Sequence, residues 1–296
     1  MVLIEYQDKL FQVLKYILKL GIICLGIQLK PFEFLEFGAI AIPLIIICII
    51  SVLIIIKLLI KKLKIPTRMA YLISIGSTVC GTTAIMATAP VIGAKKNEVS
   101  YAIANITLFG ILSMLIYPYF ANFYFESEPL LIGLFLGTSI HETSQVAAAG
   151  LIYDQQFNSP ETLNIATVTQ LIRNTFLVIM IPLFAFLYNR GKTTDKKYSI
   201  IDIFPYFVLG FVAMIIIRNL GDLIYSNNYN WLATIEGIKF SSKIFLTMAM
   251  AAIGLSTNLK EIKNMGYKPF VVGFIGMATV GLVSITTIEL YLNFFN

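Results

Sequence analysis

Residues 137–150 read GTSIHETSQVAAAG, and this stretch decides what kind of chain it belongs to. Thr138, Ser139, His141, Glu142, Thr143 and Ser144 are polar, Gln145 follows, and His141 is the only histidine in the sequence. The flanks are apolar, LLIGLFL before the cluster and VAAAGLI after it. Polar and ionisable groups set at membrane depth are costly and are kept where they have work to do. The cluster is therefore the first candidate for function, provided that the chain around it lives in lipid.

It does by composition. Of 296 residues, 58% are hydrophobic and 13% charged, with a mean hydropathy of +0.83. A soluble domain carries roughly 25% charged residues. The apolar runs are too many and too long for one soluble core, which makes this a polytopic membrane protein with no separate soluble domain. Glu5 and Asp8 sit in the first segment, which lacks a small-residue cleavage site, so no cleaved signal peptide is expected. Cys24, Cys48 and Cys80 all fall in apolar segments, spaced for neither a disulfide framework nor zinc. The net charge of +6 fits cytoplasmic loops enriched in Lys and Arg and calls for no nucleic acid.

Seven conventional spans are expected, at 10–29, 38–60, 99–121, 164–188, 204–224, 240–258 and 269–292, each near the ~20 residues that a crossing helix needs. Segments 69–94 and 130–153 are of another kind. Gly81-Thr82-Thr83 interrupts the first and Gly137-Thr138-Ser139 the second, so each is a re-entrant hairpin or a broken crossing helix. The two also align as a repeat. GTTAIMATAPVIGA lies over GTSIHETSQVAAAG, and the spans that follow match with Pro118 over Pro182 and Ala121 over Ala185. GIQLK (26–30) and GLSTNLK (254–260) form a second pair.

Orientation separates the options. With two hairpins every matched pair is inverted across the membrane, as in transporters built from inverted repeats. A cytoplasmic N-terminus then leaves seventeen of the 22 Lys and Arg inside, against Lys30, Arg218, Lys239 and Lys243 outside and Arg173 in the membrane. Full spans would move Lys95 and Lys96 outside, against the positive-inside rule. The expected fold is thus all-α and integral to the membrane, a core over 67–188 holding both interrupted segments and a scaffold over 1–66 and 200–296.

Non-helical backbone at membrane depth is tolerated only against protein or a water-filled cavity. The half-helix that begins at such a break offers free N–H groups and a positive dipole end to an anion. Gly81, Thr82, Thr83, Gly137, Thr138 and Ser139 are the candidates on that ground; close helix packing by small residues is the plainer reading. Arg173 lies about 14 Å into its helix at the α-helical rise, near mid-membrane. A guanidinium there needs an anionic ligand or an ion-pair partner, and Glu142 is the partner at hand. Thr169 and Gln170 share its face, and Asn105 occupies the matching span. His141 and Glu142 are candidates for relaying protons or for pairing with Arg173. HETSQ lacks the second His of HExxH, and no GxSxG or P-loop pattern occurs, so no enzyme, metal or cofactor is expected.

CGTTAIMATAPVIGAKKNEVSYAIANITLFG, YPYFA, GTSIHETSQVAAAG and AMAAIGLSTNLK, in this order, resemble the sulfate exporter family, the YeiH-like bacterial inner-membrane proteins. That family is similar in turn to the wider cation/proton antiporter and anion transporter group. The resemblance runs from about residue 14 to the C-terminus. It implies inverted repeats, interrupted helices forming a core against a scaffold, and a homodimer. Two features depart from the family. Its members carry further apolar helices before the segment matching 10–29, which implies a reduced scaffold or an incomplete start. They also usually have Lys where this chain has Gln170, one positive charge fewer for a doubly charged anion. The expected function is secondary transport of a small anion, sulfate or a related oxyanion, with proton or sodium coupling. The alternatives are a channel, a sodium-coupled organic-anion symporter and a truncated, non-transporting member.

Overall fold

A computed structural model describes residues 16–17, 19–24, 26–28, 31–63, 66–89, 91–189, 207–225, 228–256 and 267–295. Among the described residues all regular structure is helical. A short 3₁₀ turn at Gly26–Gln28 precedes α1 (Pro31–Leu63), α2 (Thr67–Thr78), α3 (Gly81–Thr88), α4 (Lys96–Tyr124), α5 (Pro129–Ser139) and α6 (Thr143–Phe157). Then come α7 (Pro160–Thr175), α8 (Leu177–Asn189), α9 (Phe207–Ile224), α10 (Tyr229–Ser256) and α11 (Tyr267–Phe295).

Phe37–Leu59, Glu98–Tyr124 and Phe270–Asn293 are long and apolar enough to cross a membrane, and α7 with α8 makes a fourth such unit bent by 42°. This is fewer than the seven spans expected. The spans at 10–29, 204–224 and 240–258 each reach into residues outside the described set. The span at 164–188 is not continuous but bends at Phe176. Two local causes act there. The Thr175 hydroxyl bonds back to the Ile172 carbonyl at 2.7 Å, which competes with the helix's own ladder. Pro182 has no N–H to give to the carbonyl four residues before it.

Both interrupted segments break where their small polar residues stand. Helix α2 ends at Thr78, with Val79 and Cys80 outside helical geometry. Helix α5 ends at Ser139, and Ile140 and Glu142 are extended. One mechanism recurs at both ends. Ser74 and Thr78 bond back to the carbonyls of Ala70 and Ile75, and Thr138 and Ser139 to those of Leu134 and Phe135. Hydroxyls that take up carbonyls of the last turn weaken the continuation of the helix.

At each break the chain folds back. Helix α5 runs parallel to α7, because Gly133 faces Ile165 and Gly137 faces Thr169 and the Ala166 carbonyl. Helix α6 runs the other way, since Thr143 meets Asn174 while Gly150 meets Leu163. Helices α2 and α3 are opposed too, for Gly76 lies on the side chain of Ile85. Helix α4 links the two folded-back pairs. Helix α3 and the turn after it pack on its first half, with Ile106 at Gly81 and with Ala102, Ala89 and Ile92 sharing one apolar cluster. Helix α5 packs on its second half, through the rings of Tyr117, Phe120 and Phe125 around Phe135. The two tips thus approach the middle of α4 from its two ends.

Glycines set these distances. Gly133 and Gly137 are four residues apart and present bare backbone to α7. A Cβ at Gly137 would stand 2.5 Å from the Cβ of Thr169, so small residues bring these helices together as they do in membrane interfaces. Gly273 on α11 makes room in the same way for the Asn105 side chain. Every residue of α5 from Leu131 to Ser139 is buried, as befits a helix that is apolar all round. The outside is the reverse. Ile54 and Leu58 on α1, Phe123 on α4 and Leu223 on α9 are 54%, 62%, 85% and 72% exposed. An apolar exterior around a polar buried centre is the arrangement a lipid environment selects.

Candidate functional site at the crossed helix breaks

The two breaks touch through their main chains. The Gly81 N–H donates to the His141 carbonyl at 2.9 Å. Around this bond lie two ionisable groups, each serving an end of a half-helix.

Arg173 is 2% exposed and is the largest fully buried side chain among the described residues. Its Nε donates to the Thr78 carbonyl at 3.0 Å and its Nη2 to the Ser77 carbonyl at 3.1 Å. Its Nη1 donates to the carbonyls of Thr138 and Ile140 at 2.9 and 2.8 Å. These carbonyls close α2 on one side and α5 on the other. The final carbonyls of a helix lack partners in the helix and carry about half an elementary negative charge. Two such ends together roughly balance one guanidinium. Its rigid fork of five donors suits two carbonyl pairs at once, which an ammonium would not. One side chain thus caps both interrupted helices.

Glu142 serves the opposite polarity. One carboxylate oxygen accepts from Thr82 Oγ1 at 2.5 Å and the other from the Thr82 N–H at 3.0 Å. This is the first turn of α3, whose free N–H groups and positive end favour an anion. A carboxylate from the second break therefore caps the helix that starts at the first. Gly81 makes this approach feasible, since a Cβ there would lie 2.5 Å from the Glu142 carboxylate. The ion pair between Arg173 and Glu142 offered by the sequence gives way to this division, in which each charge completes a different helix end.

A chain of polar side chains ties α7 to both breaks. Gln170 Nε2 donates to Asn174 Oδ1 at 3.3 Å, Asn174 Nδ2 to Thr143 Oγ1 at 3.0 Å, and Thr143 Oγ1 lies 3.3 Å from Cys80 Sγ. Thr138 Oγ1 also meets Ser284 Oγ of α11 at 2.6 Å. Gln145 Nε2 donates to the Thr107 carbonyl at 3.2 Å. His141 is 1% exposed, and its Nδ1 has no hydrogen-bond partner among the described residues.

Of the residues singled out from sequence, Gly81, Thr82, His141, Glu142, Thr138 and Arg173 converge on the crossing. Thr83 is exposed next to it. Gly137 is turned to α7, the Ser139 hydroxyl is taken up by Phe135, and Asn105 faces Gly273. Gln170 reaches the breaks through Asn174. Sequence reasoning missed Ser77, Thr78 and Ser284. The Ser77-Thr78 pair inside the run LISIGSTVC was the one visible sign; Ser284 gave none.

Residues 4–273 match the family described as Conserved hypothetical protein 698. The chain belongs to that family. Its relatives bear the name UPF0324 membrane protein. The one from Streptococcus agalactiae serotype V is 37% identical over 273 residues, 92% of this chain and 79% of the relative. That of Fusobacterium nucleatum is 35% identical over 281 residues, 92% and 80% of the two chains. That of Clostridium tetani is 31% identical over 284 residues, 91% and 79%. No solved structure matches the chain. The Conserved hypothetical protein 698 family is thus a family of membrane proteins, and its relatives' names assign no substrate.

Proposed function

We propose that this protein is a secondary transporter of a small anion, with sulfate and related oxyanions as the first substrates to test. The crossing of the two breaks carries the reading. Interrupted helices meeting end to end, with one buried Arg on both C-terminal ends and a carboxylate on an N-terminal end, make up a transporter's central site. Because α4 is long enough to cross the membrane, hairpins packed on its two halves would enter from opposite faces as an inverted repeat. The core over 67–188 would then move against the scaffold over 1–66 and 200–296, in a homodimer with its N-terminus in the cytoplasm. Arg173 holds the tips together, and Glu142 and His141 are the groups to exchange protons. The Thr82 hydroxyl, and Gln170 through Asn174, complete the surroundings of the anion.

Flux of labelled sulfate in proteoliposomes tests this. Saturable uptake, abolished by Arg173→Ala in protein that still elutes as a single species, is the expected result. Voltage-driven, non-saturating flux would indicate a channel, and strict sodium dependence an organic-anion symporter. No anion movement at all would refute the reading.

A further inference from the structure

One end of the molecule gathers positive charge at a single depth. An apolar cluster that includes Leu59, Met69, Ile92, Ala94, Val99 and Tyr188 brings together the end of α1, the start of α2, the turn after α3, the start of α4 and the end of α8. Lys57 and Lys62 of α1, Arg68 of α2 and Lys95 before α4 flank these residues; the three lysines are exposed and Arg68 is half-buried. Three helices measure their depth from the crossing. Arg173 holds the Ser77 carbonyl, and Arg68 stands nine residues before Ser77, about 14 Å at the α-helical rise. Ile106 packs at Gly81, and Lys95 comes eleven residues before Ile106, about 16 Å. Cys48 lies within electrostatic reach of Arg173, and Lys57 follows it nine residues later, about 14 Å. Half of a hydrocarbon core ~30 Å thick is about 15 Å. With the crossing at the midplane, these side chains stand at the headgroup boundary.

Two features fit this end to a lipid. The Arg68 Nε donates to the Tyr188 hydroxyl at 3.1 Å, while its Nη nitrogens hold no hydrogen bond among the described residues. A guanidinium steadied from behind keeps its planar fork for a phosphate. The lysines, for their part, continue an apolar ridge. Ile46, Ile50, Ile54 and Leu58 are exposed on α1 at the four-residue spacing that keeps to one face of a helix, and Lys62 is the next member of that row. Glu98 is a carboxylate at this end; it spends one oxygen on the Lys95 N–H at 2.7 Å and lies within electrostatic reach of Arg68. We infer that this end is a binding surface for an anionic phospholipid, its phosphate on Arg68 and the lysines and an acyl chain along the α1 ridge. Clusters of Lys and Arg at the end of a crossing helix attract acidic headgroups, and a soluble phosphate has no use for the ridge. The inference stands apart from the transport reading, for it requires only that the chain lies in a bilayer.

The test is thermal unfolding of the purified full chain in a neutral detergent, titrated with phosphatidylglycerol, phosphatidylcholine or glycerol 3-phosphate, since a ligand of the native state raises its stability. Phosphatidylglycerol is expected to bind about tenfold more tightly than phosphatidylcholine, and glycerol 3-phosphate to leave the midpoint unmoved. Lys57→Gln with Lys62→Gln is expected to bring the two lipids within about threefold of each other, and Arg68→Gln to do the same. The lysine pair decides if Arg68→Gln does not fold, because both lysines are exposed. Lys239→Gln on α10 is expected to keep the preference. Equal affinity for both lipids in wild type, or an undiminished preference in the lysine pair, overturns the inference. So does equal stabilisation by glycerol 3-phosphate, which would make this a site for soluble phosphates. A loss in Lys239→Gln as large as in the lysine pair also overturns it, for the preference would then follow net charge alone.

Discussion

The two folded-back helix pairs meet at one point but are built differently. The second, α5–α6, is buried along almost its whole length and locked onto α7 by Gly133, Gly137 and Gly150. The first, α2–α3, has a shorter return arm, and its tip exposes Thr83 and half exposes Thr82. One pair is an anchored arm that supplies the carboxylate, and the other presents the donors that receive it. In the transport reading proposed above, the buried pair would be the fixed wall of the site and the exposed tip its open wall. Arg173 joins the two by their C-terminal ends, so it serves both halves equally.

The largest expected effect comes from removing that shared cap. Arg173→Ala leaves four carbonyls at two helix ends without their donor, and a loss of about 3–5 kcal/mol is expected. Arg173→Lys keeps the charge but not the fork, and a smaller loss is expected. Thermal unfolding in detergent checks both; equal stability of wild type and Arg173→Ala would mean that the guanidinium holds neither end. Next comes the anchored arm. Gly137→Ala places a Cβ against Thr169 and the Ala166 carbonyl, and is expected to cost about 1–3 kcal/mol. Gly237→Ala on α10 is the matched control, for nothing lies within 4 Å of the added Cβ. It is expected to gain about 0.5–1 kcal/mol from helix propensity alone. If the two alanines behave alike, the anchoring of α5 on α7 is wrong. At the open wall, Glu142→Gln removes the charge from the start of α3 but keeps an acceptor, for a loss of about 1 kcal/mol.

Much of this was legible in the residues. GTT and GTS inside apolar runs marked both breaks. At the second, Thr138 and Ser139 of GTS are themselves the hydroxyls that back-bond in the last turn, a local effect written where it acts; at the first, Ser74 and Thr78 ahead of GTT do this. Arg173 was legible as a buried charge from its depth alone. Its partners were not, since a main-chain carbonyl leaves no trace in residue identity, and the obvious acidic neighbour drew attention instead. The bend at Phe176 was missed although Thr175 and Pro182 were in view, because each alone is compatible with a continuous helix. Ser284 was out of reach for a different reason: it meets Thr138 only through the packing of α11 on α5, 146 residues away in sequence.

The carboxylate of one break resting on the first turn of the other is the contact from which the rest follows. A double-mutant cycle of Thr82→Ala and Glu142→Gln, read by unfolding free energy in detergent, measures it directly. A coupling energy of about 1–2 kcal/mol is expected for groups that share these bonds. Losses that simply add, to within about 0.3 kcal/mol, would show that the two breaks do not cross at Thr82 and Glu142.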